Sequence, residues 1–203
     1  MAASQVQICN IALSTYLGVA PITALAAGTP AGEQCLLHYE DALHELFEAY
    51  RWSFATKRLT LSELTNDRSS EWDYKYTRPP EALSVHWVNE LEAARLATST
   101  GQSPDAPRET TSSVVYTDAP TAVMAYTQIL TDPTVYPTYF SSALSASLAA
   151  RMAIPLTEDR GRASDARQMS VDLLDKAIVL DERDAFITIP DHLPHWIIDR
   201  GVS

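Results

Sequence analysis

Glycine is scarce in this chain, at six in 203 residues. Loops that cradle phosphate need glycines clustered at fixed spacing, so that backbone N–H groups can reach the ligand. No such cluster occurs, and neither do the G-x-S-x-G and H-E-x-x-H patterns that place a nucleophile or a metal pair. Cysteine is scarcer still. Cys9 and Cys35 are the only two, they form no C-x-x-C, and each lies among apolar residues, so both read as reduced, packed thiols. Positive charge is also in deficit. Fifteen Lys and Arg against 26 Asp and Glu leave a net charge of −11. That balance excludes a protein that grips nucleic acid by neutralising phosphates. It still suits an acidic wall past which DNA slides.

Long hydrophobic runs are missing as well. No charged side chain precedes Glu33, and Ile11 to Ala27 has the look of a signal-peptide apolar region. Yet Gln5, Gln7 and Asn10 stand where a basic segment belongs, and Gly18 and Pro21 break the run short of a membrane span. A cytosolic start without membrane contact is expected.

What remains is ordinary soluble-domain material, 46% hydrophobic and 20% charged. Ser4 can cap a first helix reaching Leu17, stopped by Gly18 and followed by a linker over Val19–Pro30. A second helix spans Ala31–Tyr50, with Cys35, Leu36, Tyr39, Ala42, Leu43, Leu46, Phe47 and Tyr50 as its apolar stripe. Arg51–Leu64 is mixed, and Asn66–Glu71 is a polar loop. Trp72–Tyr76 reads as a strand. Leu83, Val85 and Trp87 alternate with Ser84 and His86, the period of a half-buried strand. Thr98–Ser113 reads as an exposed hairpin loop. Val114–Tyr116 and Val123–Tyr126 form two more strands joined at Asp118–Pro120. A third helix runs from Pro137 to Ala153, with Ala143, Ser147 and Ala150 as a small-residue flank. A fourth runs from Arg160 to Asp181.

Helices, then strands, then helices predict an α+β fold and not a βαβ arrangement. The expected architecture is an antiparallel helical bundle from residues 1–64 and 132–184. A small antiparallel β-sheet lobe, 65–131, is inserted in it, and 185–203 form an extended C-terminal docking tail.

Candidate chemistry is thin. His38, Glu40, Asp41, His44 and Glu45 share the second helix, and Asp41-x-x-His44 has a spacing that can present two metal ligands. At ~100° per residue the group faces away from the apolar stripe, which makes it a polar surface. His192 and His195 lack two further ligands for zinc. Asp172 and Asp175 fall on the polar side of the fourth helix. Trp52, Phe54, Trp72, Tyr74 and Tyr76 suit core and interface contacts better than base stacking. No catalytic, metal or cofactor site is expected. The tail is apolar and too short to form its own core. Phe186, Ile187, Ile189 and Pro190 in its first half suit a partner's surface, as do Leu193, Pro194, Trp196, Ile197 and Ile198 in its second.

Three ordered segments carry a family likeness. Tyr126–Thr157 has a strand, the turn Asp132-Pro133, Phe140-Ser-Ser-Ala143-Leu144, then Leu148-Ala149-Ala150-Arg-Met-Ala153-Ile-Pro155-Leu156-Thr157. Ile8-Cys9-Asn10-Ile11-Ala12-Leu13 with Leu17-Gly18 opens the chain, and Trp52-Ser53-Phe54-Ala55-Thr56-Lys57-Arg58 follows the second helix. Together they resemble the tail tubular protein A family, the head-to-tail adaptors of short-tailed bacteriophages. The resemblance implies a homo-oligomeric ring of about twelve copies in the neck of the virion. It would join the portal protein to the tail nozzle protein, with ejected DNA passing through its channel unbound. The C-terminal tail residues above would then dock into the portal. The rival expectation is a stand-alone cytosolic α+β protein-binding module without catalysis, using the polar face of the second helix.

Overall fold

The computed structural model describes residues 4–25, 28–90 and 105–185. The fold is α+β, with four helices and two small antiparallel sheets.

α1 (Gln5–Ile11) starts where Ser4 Oγ accepts from the Gln7 N–H at 3.1 Å. It continues through π-type turns over Ala12–Leu17. Gly18 ends it with φ +64°, a left-handed conformation that L side chains rarely adopt. The linker that follows is pinned by Asn10. Its amide donates to the Ile22 carbonyl at 2.9 Å and accepts from the Ile22 N–H at 2.7 Å. α2 (Pro30–Ala49) is capped by Thr29 Oγ1, which accepts from the Gly32 N–H, with Pro30 where a missing N–H costs nothing. Its expected stripe is buried except at two residues. Leu36 is 58% exposed and Tyr50 is half-buried beyond the helix end.

α3 (Thr138–Thr157) is the central helix, touching α1 with its π-type extension, α2 and α4 (Arg160–Ala185). Ala143, Ser145, Ala146, Ala149 and Ala153 are all buried, and their small size lets three helices close in on one. Ser147 and Ala150, the rest of the expected flank, are half-exposed instead and line an open groove with Glu45, Arg151 and Ile154. α3 runs one turn past Ala153 despite Pro155. Leu156 packs on the core, and Thr157 Oγ1 donates to the Ala153 carbonyl at 2.7 Å. Cys9 and Cys35 are buried in this core as free thiols, Cys35 beside Met152 at 3.6 Å.

One sheet has the order β1 (Thr56–Thr60), β7 (Ala122–Gln128), β4 (Ala82–Glu90). The other has β2 (Glu63–Leu64), β3 (Tyr74–Thr77), β6 (Val114–Thr117), β5 (Arg108–Thr110). Met124 and Tyr126 of β7 meet Leu61, Tyr76, Val88 and Val115 in the core between the sheets. Val123 and Ala125 point the other way and pack with Trp87.

Three expectations change here. β1 and β2 pair with β7 and β3, so residues 56–64 join the sheet layer and not the helical unit. The mixed pattern of that stretch reflects an edge strand, four of whose five side chains face solvent. The loop expected at Thr98–Ser113 contains β5, tied to β6 through Glu109 and Tyr116; residues 98–104 lie outside the described residues. The regular alternation of Leu83, Val85 and Trp87 is broken by two register shifts in β4. The three side chains consequently enter three different places: the helical core, the inter-sheet core and the Trp87 cluster.

Candidate interaction surfaces

The helical and sheet layers meet at a ring of aromatics. Phe140, at the start of α3, lies 5.0 Å from Phe47 and 5.1 Å from each of Trp52, Phe54 and Tyr136. Trp52 is anchored by its indole N–H, which donates to the Leu46 carbonyl at 2.7 Å. Beside this ring sits a carboxylate. Asp181, 1% exposed, accepts from the Ser53 N–H at 2.8 Å, the Ser53 hydroxyl at 2.9 Å and the Tyr139 hydroxyl at 2.8 Å. Burial first, and then the hydrogen bond to Asp181 and its charge, push the Tyr139 phenol well above its usual range. Asp181 so ties α4 to the turn entering β1 and to α3. Sequence reasoning passed over it. The signal was a carboxylate placed on the Ala177–Ile178 apolar stripe of α4, one turn on.

The group on α2 is solvent-facing. Glu40, Asp41, His44 and Glu45 are exposed and His38 is half-buried. Glu45 pairs with Arg151 across to α3. Among the described residues no three His, Cys, Asp or Glu side chains are gathered as metal ligands. Asp172 is exposed and accepts from Gln168 at 2.8 Å, and Asp175 is exposed. Trp52 and Phe54 belong to the aromatic ring, and Tyr74 stacks on Tyr76 at 6.1 Å within the second sheet. Trp72 is half-buried in the preceding turn. The expected portal-contacting residues, Phe186, Ile187, Ile189, Pro190, Leu193, Pro194, Trp196, Ile197 and Ile198, lie outside the described residues, as do His192 and His195.

The outer face of the first sheet was also unforeseen. His86 is within 2.8 Å of the Thr127 hydroxyl through Nε2. Burial, with the Arg51 and Arg108 charges, holds its pKa down at about 4, so the ring is neutral at pH 7. Thr127 is fully buried and His86 half-buried. Arg58 lies 5.5 Å from the Trp87 ring centroid. Burial first, and then Arg58, lower the Arg51 pKa, so the cations here crowd one another. Two further hollows lie among the described residues. One of about 840 Å³ is lined by Arg78, Asp105, Arg108 and Thr110–Ser112. The other, about 640 Å³ and mostly apolar, lies between the Val19–Ala24 linker and Leu156.

No helix among the described residues is long and apolar enough to cross a membrane. Compared with known proteins, the chain matches no family model and no curated sequence.

Proposed function

We propose that this chain is a structural virion protein, a head-to-tail adaptor that assembles as a ring between portal and tail nozzle and lines part of the DNA channel. The observation that carries the reading is the meeting of two of its three family-like segments. Trp52-Ser53-Phe54 and Tyr136–Phe140 come from distant stretches, yet they meet in one aromatic junction, with Asp181 bonded to Ser53 and Tyr139. A packed junction of this kind would hold the helical and sheet layers in one arrangement, which a ring subunit must keep constant from copy to copy.

Net charge −11 supports passage of DNA without adhesion. The C-terminal tail is the portal-docking segment in this reading. Removing residues 190–203 should leave circular dichroism and the unfolding midpoint unchanged while abolishing co-elution with purified portal. Equal co-elution of full-length and shortened chains would remove the tail from this role. Failure of the full-length chain to bind portal would remove the adaptor reading itself.

A further inference from the structure

Charge is unevenly spread over this surface. α2 carries Glu33, Glu40, Asp41, Glu45 and Glu48 and no Lys or Arg in its twenty residues. Glu45 alone of these is ion-paired among the described residues. At ~100° per residue, Leu37 sits in the middle of Glu33, Glu40, Asp41 and Glu48. Leu37 is 64% exposed and its neighbour Leu36 58%. A helix face with an exposed apolar centre and an anionic border is open to a partner that offers apolar and cationic groups.

The same chain carries a matching surface. No carboxylate occurs from Arg51 to Ser62, and Arg51, Lys57 and Arg58 are all exposed. Lys57 and Arg58 lie on β1, an edge strand paired with β7 alone among the described residues. Leu59, between the charges and Thr60, is 45% exposed. Each surface has what the other lacks.

We propose that the outer face of α2 in one copy docks on the β1 edge of a second copy, Leu36 and Leu37 against Leu59, with Glu40 and Asp41 facing Arg51 and Lys57. This rests on the ring reading above and names the surfaces that would join its subunits. Because the two surfaces differ, each copy gives one to each neighbour, and the contact repeats head to tail. Opposite charges fix the register and speed encounter, so assembly slows as salt rises.

Two charge-reversed chains test this, Glu40→Lys with Asp41→Lys, and Arg51→Glu with Lys57→Glu, each first checked for a wild-type circular dichroism spectrum. Ring formation on portal is followed by sedimentation velocity. Each variant alone should assemble at least tenfold more weakly than wild type, and an equimolar mixture of the two should assemble as wild type does. In the mixture every junction again pairs opposite charges. Single variants that assemble normally, or a mixture that stays unassembled while wild type forms rings, would overturn these contacts and leave the adaptor reading standing. Wild type that forms no ring would overturn both.

Discussion

Asp181→Ala should be among the most damaging single substitutions outside the apolar core. The carboxylate is 1% exposed and accepts three hydrogen bonds, two from Ser53 and one from Tyr139. Alanine removes a buried charge together with the carboxylate that all three donors share. Each buried donor left unsatisfied costs about 1–3 kcal/mol. The Ser53 hydroxyl can rotate toward another acceptor, but its backbone N–H cannot. Ser53 is itself exposed, so water can replace part of what its donors lose. A total of about 1–3 kcal/mol follows, which in a chain of this size lowers the melting midpoint by roughly 2–12 °C. Asp181→Asn keeps one acceptor oxygen and should cost about half as much, and Tyr139→Phe, which deletes one donor cleanly, about 1 kcal/mol. Equilibrium urea unfolding, followed by Trp fluorescence and circular dichroism, measures all three. Trp52 lies 6.4 Å from Tyr139 and reports on this corner directly. A loss below 1 kcal/mol for the alanine variant, or equal losses for all three, would refute the assignment of Asp181 as the tie between layers.

Two further outcomes follow from single residues. His86 has a folded pKa of about 4 against the usual value near 6.5, so the unfolded chain takes up its proton first as pH falls. Its contribution is therefore whole above pH 6.5 and is lost between pH 6.5 and 4. The loss should be about 1–2 kcal/mol once partial exposure is allowed for. His86→Asn should show a correspondingly flatter stability profile over that range, and parallel profiles would show that the imidazole does not titrate as described. Asn10→Ala removes both bonds that hold Ile22 and should cost about 1–3 kcal/mol. It should also raise amide exchange at Ile22 selectively, which hydrogen exchange can read.

Much of the helical layer was legible from the chain because its signals are local. The Ser4 cap, the Gly18 stop and the period of Cys35, Tyr39, Ala42, Leu46 and Phe47 each need only a few neighbouring residues to interpret. The sheets were harder. β1 is a five-residue edge strand with four exposed side chains, so it has almost no apolar rhythm to detect. β7 is buried on both faces from Ala122 to Thr127, which erases the two-residue alternation, so its middle, Val123–Tyr126, reads as a strand but its ends do not. In β4 an apparent alternation existed, but two register shifts sent its members into separate clusters. The junction was half legible. Trp52, Phe54 and Phe140 stood out as aromatic marks, whereas Asp181 is one carboxylate among many in α4, and only the fold brings it to Ser53. The cationic crowd of Arg51, Arg58 and Arg108 around His86 and Trp87 is likewise assembled from distant stretches and has no linear signature.

The adaptor reading is tested most directly by electron microscopy of the purified chain mixed with the portal of the same virus. The account predicts a closed ring of copies seated on the tail-facing end of the portal, with its channel continuous with the portal's own. Portal particles left bare, beside a chain that remains monomeric at saturating concentration, would contradict it.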